Sequence, residues 1–243
     1  MSLLHVIAES SSVPDLVQQA LWHTLWMAVP YISPLLTLLV LRRIFDRPVI
    51  KGWLAEARVH WFALAKLPKA HYRILRNLII PTPDGAATCE IDHLVVSTFG
   101  IFVVETKLYD NAAIYGKEHE MTWTRCVKRS KLTFLNPLIQ NKNHVKALAS
   151  FLDLPQSALH SVIVLLGSAS FRSPLPSYVL QSRFALTDLP RYIQAKRTAV
   201  LTDTEVRMVL HQLESYRRST NQRALRRRHI SHVAALKRRY SAC

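Results

Sequence analysis

Glycine is scarce in this chain, with five in 243 residues. Loops that cradle nucleotide phosphates draw on closely spaced glycines, and neither GxxxxGK[ST] nor GxSxG occurs. An ATP-driven motor and a nucleotide cofactor are therefore not expected. Cysteine is scarcer still: Cys89, Cys126 and Cys243 are odd in number, scattered, and free of any CxxC or Cys/His spacing for zinc. That usage fits a reducing compartment, with Cys89 as a small core residue. Acids are few, 16 against 32 lysines and arginines, for a net charge of +16 and a pI of about 10.2. An excess of this size points to a polyanionic partner, nucleic acid or an anionic membrane surface. No repeat or low-complexity linker is present, and 49% hydrophobic residues suffice for one cored domain with appendages.

Charge is also missing locally. Residues 1–15 hold Glu9 and Asp15 but no lysine or arginine, and Ala20 to Leu41 is a run of 22 residues without Asp, Glu, Lys or Arg. About 20 predominantly apolar residues span a bilayer as a helix. Trp22 and Trp26 suit an interface, and Arg42, Arg43 and Arg47 follow at once, which places the C-terminal side in the cytoplasm. The basic start and cleavage site of a signal peptide are missing. Pro30 and Pro34 leave three forms open: a straight span, a kinked one, or a re-entrant hairpin. A buried core helix of a soluble protein is the fourth reading.

The most informative stretch is Glu90 to Lys107, EIDHLVVSTFGIFVVETK. Its alternation reads as two strands about a Ser97–Gly100 turn, with Gly100 supplying a positive φ. Asp92, Leu94 and Val96 share one face of the first strand; Ile101, Val103, Glu105 and Lys107 share one face of the second. Asp92 can thus face Glu105 and Lys107, while His93 points the other way and is packed rather than ligating. Two carboxylates and a lysine on one sheet face are the parts of metal-assisted phosphodiester hydrolysis, or else an ordinary ion pair. Hard oxygen ligands suit Mg²⁺, or Mn²⁺ in its place.

Asp92 followed by Glu105-Thr106-Lys107 resembles the D…(E)xK signature of the PD-(D/E)xK nuclease superfamily. The fuller pattern resembles one branch, the nuclease-related domain, from Gly52–Glu56 to Asn136-Pro137…Gln140-Asn141, about residues 50–195 in all. The resemblance implies an α/β fold of restriction-endonuclease type, a mixed central sheet flanked by helices. It implies catalysis by Asp92, Glu105, Lys107 and Glu56, and a metal held by Asp92, Glu105, the Thr106 carbonyl and Glu56. Glu56 ends a GxxGE-like motif in which Ala55 replaces the second glycine. Gln140 is implied to flank the site, against a plain surface or helix-end role.

The remaining pattern is coarser. Lys51–Leu67 and Asn136–Leu152 read as helices, the second with Pro137 near its start. His71–Ile80, Ser161–Leu166 and Phe184–Leu186 read as strands. Leu189–Lys196 and Thr204–Tyr216 read as helices, the latter capped by Thr202 or Asp203. In the basic stretch 117–131, Trp123 is an aromatic anchor, and Arg125, Lys128, Arg129 and Lys131 are candidate phosphate contacts, or parts of a solvated loop or strand edge. After Glu214 there is no acid but nine lysines and arginines, so residues 217–243 read as a nucleic-acid helix, a lipid-binding helix or a disordered tail.

The expected organisation is a short extracytoplasmic N-terminus (1–19), a transmembrane helix (20–41), a nuclease-like domain (48–200), and a C-terminal helix with basic tail (201–243). The expected activity is metal-dependent cleavage of DNA at the cytoplasmic face of the inner or plasma membrane, in DNA processing or repair. A catalytically inactive nucleic-acid-binding module of the same fold is the alternative, and a homodimer is compatible with cutting both strands.

Overall fold

The computed structural model describes residues 13–181 and 184–241. Most of the expected N-terminal segment, and Cys243, lie outside them. The chain forms two units, Met1–Lys51 and Gly52–Cys243.

Helix α1 (Val13–Phe45) dominates the first unit. Within it Val17–Phe45, 29 residues of mean hydropathy 1.8, is long and apolar enough to cross a membrane. Its large apolar side chains, Leu21, Trp26, Ile32 and Leu39 among them, are exposed. The helix runs unbroken through Pro30 and Pro34, so the re-entrant hairpin is not formed. Thr24 and Thr37 donate their hydroxyls to the carbonyls of Ala20 and Ser33, each at 2.8 Å, which satisfies both polar groups inside the helix.

In the second unit a five-stranded mixed sheet carries the core. It consists of β1 (Arg73–Pro81), β2 (Thr88–Ser97), β3 (Gly100–Leu108), β7 (Leu159–Leu166) and β9 (Val179–Gln181), adjacent in that order. The β1–β2 and β2–β3 pairs are antiparallel; β3–β7 and β7–β9 are parallel. The β2–β3 turn forms as its sequence requires: Gly100 takes φ +121°, and Ser97 Oγ donates to the Gly100 carbonyl at 3.0 Å.

Alternation buries both faces, because helices cover both. Leu94, Val96, Ile101 and Val103 pack against Val145, Leu148 and Leu152 of α3 (Pro137–Leu152) and Val209 and Leu213 of α5 (Asp203–Ser219). Val95, Phe102, Val104 and Val162 pack against Ala55 and Val59 of α2 (Pro48–Phe62) and Ala185, Leu189 and Ile193 of α4 (Ala185–Gln194). Asn136 caps α3 by accepting from Leu138 N at 2.9 Å, and its amide donates to the carbonyls of Lys117, Glu118 and Glu120. Thr202, not Asp203, caps α5, in a reciprocal box with Glu205.

One expectation is corrected. Phe184–Leu186 is not a strand: α4 begins at Ala185, and the strand of that region is β9. Residues 113–135 supply strands β4 (Ala113–Tyr115), β5 (Thr122–Val127) and β6 (Ser130–Leu135) of a second sheet, completed by β8 (Ser170–Phe171). Trp123 anchors that sheet from inside, 1% exposed, its indole N–H on the Lys117 carbonyl at 3.0 Å.

His93 points away from Asp92 into the α2 face, fully buried, its ring stacked 5.8 Å from that of His60. Burial, with Arg76 and His60 nearby, pushes its pKa down to about 3. The unfolded chain then binds the proton more readily, so this contribution to stability is complete above about pH 6.5 and falls by about 1.4 kcal/mol per pH unit toward pH 3. His93→Phe is expected to flatten the acid limb of the melting-temperature profile between pH 6.5 and 4. An unchanged slope would show that other groups govern it.

Candidate active site

The site lies where the sheet's hydrogen bonding changes partners. The β2–β3 register runs from Ser97↔Gly100 to His93↔Val104 and stops. Beyond it, β2 continues against β1, and β3 against β7. The two strands separate as a fork with Asp92 at its vertex. Asp92 has no ladder partner on the β1 side either, because the pairing skips from Arg76↔His93 to Leu78↔Ile91. Its opposite number, Asn77, adopts φ +51°, a left-handed conformation that asparagine tolerates better than most residues. Strain of this kind gathers at functional sites.

In place of a ladder bond, the Thr106 N–H donates to Asp92 Oδ2 at 2.8 Å. That contact holds the Asp92 carboxylate beside the strand carrying Glu105 and Lys107. Glu105 is buried; its Oε1 meets Lys107 Nζ at 2.5 Å and accepts from Gln140 Nε2 at 2.8 Å. His144 Nδ1 stands 3.4 Å from Oε2. Gln140 and His144 are one turn apart on α3. That helix is seated by the buried Asn141, whose amide donates to Val103 O and Ser161 Oγ, both at 2.9 Å, and to Val162 O at 3.2 Å.

Two further acids attend the fork. Glu56, half-buried on α2, feels the charges of Glu90, Glu105, Arg226 and Lys107. Glu90 shares the face of Asp92 and pairs with Arg226 of α6 (Gln222–Ser241) at 3.0 Å.

Electrostatics divide these carboxylates. Burial pushes Glu105 upward, but Lys107 and His144 outweigh it and hold the group down at about 2. Burial pushes Asp92 well above the usual carboxylate range; Glu105 adds to the rise, and Lys107 only partly offsets it. Glu56 is raised by burial, then by Glu90 and Glu105. Burial also lifts the Cys89 thiol to about 12, so Cys89 is no nucleophile.

Asp92 and Glu56, both raised by burial and by neighbouring carboxylates, offer hard oxygen donors of the kind that fit a divalent cation. Among the described residues, however, no three His, Cys, Asp or Glu side chains are already gathered at ligand spacing. Glu105 is turned toward Lys107 and Gln140 instead.

The other predicted residues are dispersed. Arg125 lies on the Trp123 face of its strand and donates to the Asp110 carbonyl at 3.0 Å, so it is committed internally. Lys128, Arg129 and Lys131 are exposed at the β5–β6 hairpin. Sequence reasoning missed Glu90, His144 and Arg226. Two left a signal: Glu90 is two residues from Asp92 on an alternating strand, and His144 is four from Gln140 on a helix. Arg226 left none.

A mixed sheet covered by helices on both faces, with its charged cluster at a fork between strands, defines an α/β protein of restriction-endonuclease type. Residues 51–166 match the family model of the nuclease-related domain. A Bacillus anthracis protein described as uncharacterized is 29% identical over 170 residues, 70% of this chain and 78% of that relative. No solved structure matches the chain.

Proposed function

We propose that this chain is a metal-dependent nuclease that hydrolyses phosphodiester bonds of DNA, in DNA processing or repair, anchored in the inner or plasma membrane by α1. The observation that carries this reading is the fork: Asp92 and Glu105 on adjacent strands with Lys107 between charge and solvent. Arg42, Arg43 and Arg47 after the apolar run favour a cytoplasmic position for the domain.

Asp92, Glu105, the Thr106 carbonyl and Glu56 would hold Mg²⁺ or Mn²⁺. The bound ion would supply Lewis-acid polarisation of a phosphate oxygen and a more acidic water. The chain's own residues do the rest. Lys107, kept protonated by Glu105 against the effect of burial, orients the attacking water and stabilises the charge of the transition state. Gln140 fixes the Glu105 carboxylate, and the Thr106 amide fixes that of Asp92. A homodimer would place two such sites on opposite strands.

The test is cleavage of linear, circular and single-stranded DNA with Mg²⁺, Mn²⁺ or EDTA, wild type beside Glu105→Ala and Lys107→Ala. Metal-dependent cutting that both variants lose is expected; cutting in EDTA, or by either variant at the wild-type rate, would refute the assignment.

The lack, among the described residues, of a ready-gathered ligand trio, with alanine at position 55, favours a second reading: an inactive nucleic-acid-binding module. It expects DNA affinity that is salt-dependent but indifferent to divalent metal beyond ionic strength.

A further inference from the structure

Helix α6 does not trail from the domain. It packs over β2 and β6, and two polar contacts fasten it to β2. One is the Arg226–Glu90 pair; the other joins His229 Nδ1 to the Thr88 carbonyl at 2.9 Å. Between α6 and the β1–β2 turn lies a cavity of about 270 Å³ lined by Ala86, Ala87, Thr88, Arg228, Ser231 and His232. Its lining holds a guanidinium, an imidazole and two hydroxyls, and no carboxylate. Thr88 precedes Asp92 by four residues on the same face of β2, so the cavity stands about 13 Å along the strand from the vertex.

We infer that this cavity is a subsite for a backbone phosphate of a nucleic acid strand, and that α6 forms one wall of the groove leading to the fork. The inference rests on the proposed function and deepens it, by giving the basic C-terminal segment the same polyanion as the site. Arg228 supplies a fork of N–H donors suited to a phosphate, and His232 lies one turn along the same helix, while the Ser231 hydroxyl donates to the Arg228 carbonyl at 2.8 Å. The outward face of α6 discriminates against a lipid surface. A helix lying in a membrane presents its apolar side outward. Here Leu225 and Val233 are turned inward, half-buried, while Arg223, Arg227 and Arg228 are exposed, with Ile230 the large apolar exception among the described side chains.

The test uses the full chain in nanodiscs of neutral lipid, with a fluorescent single-stranded DNA titrated in EDTA at several salt concentrations. Arg228→Gln combined with His232→Gln is compared with wild type and with Arg191→Gln, an exposed arginine on α4. The double variant is expected to lose about tenfold in affinity at moderate salt, with the slope of log K against log [salt] smaller by about one. Arg191→Gln should keep the wild-type slope, and Arg228→Lys should restore part of the loss. All three positions are exposed, and melting curves verify the fold. An unchanged slope in the double variant, while wild type binds, overturns the subsite alone. No DNA binding by wild type overturns the proposed function with it. Loss of binding to phosphatidylglycerol vesicles, with DNA affinity unchanged, overturns it in favour of a membrane contact.

Discussion

Asp92→Asn is expected to abolish DNA cleavage, by about 10³-fold or more, while raising the melting temperature measured in EDTA at pH 8. The first effect follows from the loss of one anionic ligand at the vertex of the fork, about 4 kcal/mol of transition-state stabilisation. The second follows from the same charge. Burial and Glu105 disfavour the ionised Asp92, so a neutral isostere removes that cost, and its amide oxygen can still accept from the Thr106 N–H. Each kcal/mol recovered should appear as about 2–4 °C. Added Mg²⁺ should stabilise wild type and leave the variant unmoved. Single-turnover cleavage and calorimetry in both buffers decide it. A variant that cuts DNA, or one that melts well below wild type in EDTA, would show that Asp92 has a structural and not a catalytic duty.

The largest effect on stability is expected at Asn141, which touches no substrate. Asn141→Leu is close in volume but removes three donated hydrogen bonds, to Val103 O, Ser161 Oγ and Val162 O. These tie α3 to two neighbouring strands from a fully buried position. The expected cost is about 3 kcal/mol, or about 6–12 °C. Cleavage should fall beyond what the lost fold explains, even well below the new melting temperature, because Gln140 and His144 reach Glu105 from the same helix. Urea melts and kcat at 15 °C separate the two effects. Full activity per folded molecule would mean that the helix holds its place without Asn141.

What was legible in the sequence was local. The β2–β3 hairpin announced itself by alternation and by one glycine at a turn, which put Asp92, Glu105 and Lys107 on one face before any packing was known. Helix α3 announced itself by Asn136 and Pro137, and α1 by the absence of charge. Phe184–Leu186 misled because three apolar residues suit either period; the burial of Ala185, Leu189 and Ile193 on the sheet decides for helix. The partners of the site were less accessible. Gln140 meets Glu105 across 35 residues, and His229 meets Thr88 across 141. Contacts of that span depend on the whole fold, and no window of the sequence contains them. The second sheet was hidden for a related reason: β4 and β8 are three and two residues long, too short for a period to show.

The fork between β2 and β3 leaves an unpaired strand border in the middle of a sheet. Such a border invites closure by its own neighbour or by a strand from another molecule. Asp92, Glu105 and Lys107 lie along it, and a zipped ladder would take the Thr106 N–H away from the Asp92 carboxylate and leave that group without its donor. The side chains of the site therefore also keep the gap open. A triple Asp92→Val, Glu105→Val, Lys107→Val protein would be poorly described as a dead enzyme: it would have lost its guard against self-association, and its solubility would report that loss before any assay did.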